Sequence, residues 1–161
     1  MQKWITLELE LSALTLYMEL EHRRCSNKFD YIIDVDNKLD TSTILIPPLI
    51  LQPYVENAIW HGLINKEGRG TLMLVITKQK DNTLQCIVED NGIGRKASEK
   101  INKGGNKQSS FGMKITQQRL QMVYEHDKHG DVKIEDLYDE NNIATGTRIV
   151  INIPVSSFVK V

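Results

Sequence analysis

The run Leu51-Gln52-Pro53-Tyr54-Val55-Glu56-Asn57-Ala58-Ile59-Trp60-His61-Gly62 constrains this chain most. Its apolar residues recur at helical spacing, and a carboxamide and an imidazole stand four positions apart among them. Residues at i and i+4 lie one above the other on a helix. Asn57 and His61 therefore present a neutral oxygen ligand and a nitrogen to one point in space, which suits a hydrated magnesium ion and the phosphates it carries. Leu51, Val55, Ala58, Ile59 and Gly62 form the inner face. Pro53 falls early in the helix, where the first-turn amides have no intrahelical partner in any case.

The rest of the chain reads as elements around that helix. Thr6 is a candidate cap for a helix whose first turn carries Glu8 and Glu10, with Leu7, Leu11, Leu14 and Met18 as an apolar stripe reaching about Arg24. Phe29, Tyr31, Ile33 and Val35 alternate as in a half-buried strand. Pro47-Pro48 ends any ladder and suits a helix start. Strands are expected near Thr71 to Gln79 and Leu84 to Val88, joined by a turn at Asp81-Asn82. A helix from about Gly112 to Glu125 follows, then strands over Val132 to Tyr138 and Thr147 to Ile153. The fold class is an α/β (α+β) two-layer sandwich: one mixed, mostly antiparallel sheet, covered on one face by helices, with an extra N-terminal helix.

A chain of 161 residues fits one domain and buries roughly 68–70% of its unfolded surface, enough for a core without staples. Twenty basic against twenty-one acidic residues leave a formal charge of -1. Such a balance gives no net field for nucleic acid or an anionic membrane, so any anion site must be local. No apolar run approaches the roughly 20 residues of a membrane span, and Met1-Gln2-Lys3-Trp4 leads into a helical pattern and not a signal peptide. Cys25 and Cys86 follow no metal-ligand spacing and read as free thiols.

Further candidates lie downstream. Asp90 follows Ile87-Val88 and precedes Asn91-Gly92-Ile93-Gly94. Its carboxylate is placed to accept from the exocyclic amine of adenine while Gly92 and Gly94 let the chain pass close to the base; the bland alternative is an Asx turn. Thr147, after Gly146, supports the same base or is simply a strand residue. The polar stretch between Gly94 and Gly112, with its four lysines and paired glycines, is a mobile lid or a solvated loop. Trp60 and Tyr54 suit packing on a neighbour, or an interaction surface. His22, His126 and His129 sit in charged stretches and are expected to be solvated; at His22, near a helix C-terminus, a cation is simply favourable.

Together, the Leu-Gln-Pro-x-x-Glu-Asn-Ala-x-x-His-Gly run, Asp90-Asn91-Gly92-Ile93-Gly94, Phe111-Gly112-Met113 and Gly146-Thr147 resemble the N box, the two glycine boxes and the closing Gly-Thr of histidine-kinase ATP-binding domains. These domains belong to the Bergerat-type superfamily that includes gyrase and mismatch-repair ATPases. The narrower resemblance is to LytS-like sensor histidine kinases, and it extends from Leu7-Glu8-Leu9-Glu10-Leu11, Tyr17-Met18-Glu19 and Arg23 through Ile46-Pro47-Pro48 to Pro154.

The resemblance implies ATP and magnesium as cofactors, with Asn57 as the metal ligand and Asn57, His61, Asp90, Gly92, Gly94, Gly112, Met113 and Thr147 around the nucleotide. Glu56, Asn57 and His61 are the implied catalytic group, Glu56 by accepting a proton from an incoming imidazole or orienting the magnesium shell. It further implies a phosphoacceptor histidine on upstream dimerisation helices, beyond Met1, and a response regulator that takes the phosphate onward. Residues 1–25 are then a linker helix, 26–155 the ATP-binding domain and 156–161 a tail, in the cytoplasmic part of a membrane-anchored sensor.

Two departures from the family pattern stand out. Pro53 occupies the position, one helical turn before Asn57, where water-activating members carry a Glu, so strong hydrolysis is not expected. Ser110 and Ile115 replace the Gly and Asn usual around the second glycine box. The expected activity is donation of the γ-phosphoryl group of Mg-ATP to a histidine. The alternatives are a stand-alone ATPase switch, or a catalytically inactive nucleotide-binding module.

Overall fold

The computed structural model describes residues 4–101, 108–123 and 130–155. Its elements are β1 (Ile5–Thr6), α1 (Leu7–Arg24), β2 (Phe29–Val35), β3 (Leu45–Ile46), α2 (Gln52–Asn57), a π-helical segment (Ala58–Leu63), β4 (Gly70–Lys78), a 3-10 turn (Lys80–Asn82) and β5 (Thr83–Asp90). After these come α3 (Arg95–Ile101), α4 (Gln108–Val123), β6 (Asp131–Tyr138) and β7 (Ala144–Pro154). Five strands form one sheet in the order β2-β4-β5-β7-β6, and β1 pairs with β3 in a separate two-stranded ribbon.

Among the described strand pairs, only β2 and β4 run parallel. A parallel pair needs a crossover, and this one carries α2 and the π-helical segment across the sheet. The Asn57–His61 pair therefore lies on the covered face. Period-two alternation sends Leu72, Leu74, Ile76, Leu84, Cys86, Val88, Ile149, Ile151 and Ile153 to that face, where all are buried. Leu7, Leu14 and Met18 of α1, Tyr54, Val55, Ala58 and Ile59 of the crossover, and Leu120 of α4 close the same core. The sandwich and its extra N-terminal helix are those expected from the sequence.

Local chemistry explains most boundaries. Thr6 caps α1, its side chain accepting from the Leu9 amide at 3.2 Å, and β2 begins and ends where alternation placed it. Asp81 and Asn82 adopt positive φ in the turn before β5, as short polar side chains permit. Cys25 and Cys86 are free, and Cys86 is buried.

Four details differ from expectation. Pro47-Pro48 do not begin the crossover helix; it starts at Gln52 with Pro53 in its first turn. The Asn57–His61 stretch is not a uniform α-helix, since Ala58 to Leu63 widens into π geometry. The polar stretch after Gly94 is not all loop: Arg95–Ile101 is helical, and α4 starts at Gln108, so Gly112 lies inside that helix. His22 is not fully solvated but half-buried, edge-on to Phe29 and Tyr31 at centroid distances of 5.7 and 5.8 Å. The lid lysines Lys103 and Lys107, His126, His129 and the tail 156–161 lie outside the described residues.

Candidate nucleotide site

Asp90 ends β5 opposite Thr147 of β7, and both are only 4% exposed. Burial pushes the Asp90 carboxyl up to about 6, while hydrogen bonds from the Gly92 and Thr147 amides oppose that shift. The Gly92 N–H donates to Oδ1 at 2.9 Å. This is the Asx geometry of the bland alternative, and it does not exclude the other role: a carboxylate has about four acceptor sites. A buried carboxylate that is ionised at neutral pH is a strong acceptor aimed into low dielectric.

The π-helical turn meets Asp90 directly. Ile93 donates its N–H to the Gly62 carbonyl at 3.2 Å. A Cβ on Gly62 would stand 2.5 Å from Asp90 Oδ1, and one on Gly92 would strike the Gly62 backbone. Two glycines thus let the N-box turn and the Asp-Asn-Gly turn touch without side chains between them. Gly94 has φ +84, a left-handed conformation that favours glycine. Gly62 was read from sequence only as an inner-face position; its packing on Asp90 depends on a contact between segments nearly thirty residues apart, roughly the sequence distance of a supersecondary unit.

Asn57 closes α2 and His61 lies within the π turn, both half-buried. Burial lowers the His61 pKa, so the imidazole is neutral at pH 7. Its Nδ1 lies 3.3 Å from the hydroxyl of Ser98, which is buried on α3. Ser98 is a neighbour that the sequence pattern did not single out. Arg95, at the start of α3, is paired with Asp136 of β6 at 2.6 Å. The first part of the supposed lid is thereby tied to the sheet. Lys100 is exposed on the same helix.

Glu56 accepts from the Gln52 side chain at 3.0 Å along its own helix. Met113 is partly buried against the core, and Gly112 has open space where a Cβ would stand; its carbonyl accepts from the buried Thr116 hydroxyl at 2.9 Å. Trp60 packs on α1, with the Arg24 guanidinium 5.2 Å from its ring centroid. Tyr54 is fully buried, and burial pushes its hydroxyl up to about 12.

The residues present fit an adenine nucleotide carried with magnesium. Among the described residues no group of three or more His, Cys, Asp or Glu side chains is placed to hold a metal ion alone. An ion held here would take its ligands from phosphate oxygens and a carboxamide such as Asn57, the usual way in which magnesium enters phosphate chemistry.

No protein-family model matches the chain. The Bacillus subtilis (strain 168) protein YwpD is 38% identical over 69% of this chain, which spans 39% of YwpD. The Staphylococcus aureus (strain MRSA252) sensor histidine kinase/phosphatase LytS is 36% identical over 58% of this chain and 16% of its own length. The chain thus covers less than half of either relative.

Solved structures share the fold at low identity. The histidine kinase domain of the Erythrobacter litoralis blue-light activated kinase EL346 superposes with a TM-score of 0.63, at 18% identity over 96% of this chain and 67% of that one. Full-length ShkA in complex with AMPPNP gives 0.67, at 15% identity over 97% and 32%. The histidine kinase ThkA in complex with the response regulator TrrA gives 0.56, at 16% identity over 96% and 42%. By its similarity to LytS over 93 residues and by a fold shared with histidine-kinase catalytic domains, the chain resembles the ATP-binding domain of LytS-like sensor histidine kinases.

Proposed function

We propose that this chain binds Mg-ATP and donates the γ-phosphoryl group to a histidine on a separate helical segment. The observation that carries the reading is the buried Asp90 carboxylate at the contact of two glycine-bearing turns, beside the segment bearing Asn57 and His61. Asp90 accepts from the adenine amine, with Thr147 alongside it. Gly92 and Gly94 admit the base, and Asn57 meets the metal and phosphates at the other end. The neutral His61, Gly112 and Met113 complete the phosphate side. Magnesium, when bound, neutralises charge on the β- and γ-phosphates.

Transfer is in line: an imidazole nitrogen of the acceptor attacks the γ-phosphorus, the bond to the β,γ-bridging oxygen breaks, and ADP leaves. Positioning and charge stabilisation supply most of the rate. Glu56 takes up the imidazole proton or steadies the metal shell. Pro53 stands one turn before Asn57, where water activation would need a carboxylate, which favours phosphoryl transfer over hydrolysis.

The whole protein is then a two-component sensor. Its acceptor helices precede this domain, a response regulator takes the phosphate onward, and the domain works on the cytoplasmic side of a membrane. No helix among the described residues is long and apolar enough to cross one. Calorimetric titration with AMPPNP, with and without magnesium, tests the reading. Binding that is tighter with magnesium, and selective for adenine over guanine nucleotides, is expected. No heat of binding under either condition overturns it.

A further inference from the structure

Glu10 of α1 is only 2% exposed, yet no cation among the described residues forms a salt bridge with it. Its carboxylate accepts three backbone N–H groups from a distant turn, Leu49 and Ile50 at 2.9 Å and Leu51 at 3.2 Å. These amides form the entrance to α2, whose N-cap residue Leu51 makes no side-chain cap of its own. One helix therefore caps another across 39 to 41 residues of sequence.

The same turn is gripped from a second side, where the Arg119 guanidinium of α4 donates to the Pro48 carbonyl at 2.8 Å. Leu49 sits there at φ 55, a left-handed conformation that a leucine adopts only under constraint from its surroundings. Farther along α1, Trp60 is near enough to Tyr17 to influence its ionisation, and Arg24 stands over the Trp60 ring. Glu10, Tyr17 and Arg24 are spaced seven apart, close to two helical turns, and so share one stripe of α1. That stripe touches the Asn57- and His61-bearing segment at both its ends.

We propose that Glu10 is a positioning residue of the nucleotide site, fixing the start of the helix that carries Asn57. The inference rests on the nucleotide reading above. Removing Glu10 leaves three amides, two of them buried, without their acceptor, so the helix start loses its single conformation. When only a fraction of molecules holds Asn57 in place, the apparent dissociation constant rises by the inverse of that fraction. The adenine end is built differently, from the end of β5, β7 and the Gly92 turn, and the hydrogen bonds that Glu10 accepts come from none of them. The effect is therefore selective for the ligand that engages Asn57.

The test is calorimetric titration of the wild-type chain, Glu10→Ala and Glu10→Gln with magnesium AMPPNP and, separately, with ADP in excess EDTA. Glu10→Ala should weaken magnesium AMPPNP about tenfold and magnesium-free ADP less than about twofold. Glu10→Gln keeps an oxygen for the Ile50 and Leu51 amides and loses the acceptor for Leu49, so it should fall between wild type and Ala. If the Ala variant does not fold, the selectivity of the Gln variant decides. Wild-type affinities in the variants, or equal losses for both ligands, overturn the proposal while leaving the nucleotide reading intact. A wild-type chain that binds neither ligand overturns the nucleotide reading, and this inference with it.

Discussion

Burial holds the Asp90 carboxyl at about 6 in the folded chain, whereas an unfolded aspartate titrates near about 4. Between those values the folded protein binds the extra proton, so stability declines as pH rises through that window and stays low above it. The cost is that of keeping an ionised carboxylate buried. Asp90→Asn removes it: the variant should be more stable than wild type by roughly 1 to 3 kcal/mol near neutral pH, with the gap closing by about pH 4. Urea unfolding at the two pH values checks this, and a less stable variant at neutral pH would count against the burial argument. The same substitution puts an amide donor where the adenine amine needs an acceptor, and should weaken ATP by roughly a hundredfold. Wild-type affinity should itself fall as pH is lowered through about 6. Unchanged binding by Asp90→Asn would remove Asp90 from the site.

At the scale of elements, what the sequence made legible follows how local each cause is. Alternation in β2 and the Thr6 cap are fixed by neighbours in the chain and were readable there. The π turn was not, because the contacts it makes with Asp90 and the Gly92 turn come from distant strands. Glu10 shows the same limit. Its place in the first turn of α1 reads as a favourable charge against the helix dipole, but its partners are amides some forty residues away. The helix α3 hid inside a polar run because it is anchored by Arg95 to Asp136 and not by an apolar stripe. The candidate residues Asn57, Asp90, Gly92 and Gly94 are legible from spacing, whereas Gly62 and Ser98 needed the fold. The Asn57 assignment makes its own prediction: Asn57→Ala should abolish the magnesium dependence of AMPPNP binding and affect ADP less, since it removes an oxygen ligand and no contact to the base. Magnesium-independent binding by the wild-type chain would defeat the assignment.

For the whole molecule, the parallel β2–β4 crossover lays the Asn57–His61 segment over the sheet, where β5 and β7 deliver Asp90 and Thr147 to it. In the proposed function this geometry is the donor site, and phosphoryl transfer also needs an acceptor nitrogen in line with the leaving oxygen. Neither histidine in the described residues offers one. His22 is half-buried against Phe29 and Tyr31, and His61 sits in the π turn with its Nδ1 beside Ser98. Incubated alone with radiolabelled ATP, the chain should bind nucleotide and gain no acid-labile label on either histidine. Mixed with a separate segment carrying an acceptor histidine on dimerisation helices, it should label that segment slowly, because two untethered pieces lack the effective concentration, on the order of millimolar, that a short linker supplies. Joining the two in one chain should raise the labelling rate without changing nucleotide affinity. Acid-labile label on His22 or His61 in the chain alone would show that this domain carries its own acceptor, and the division between donor site and acceptor helix would then have to be abandoned.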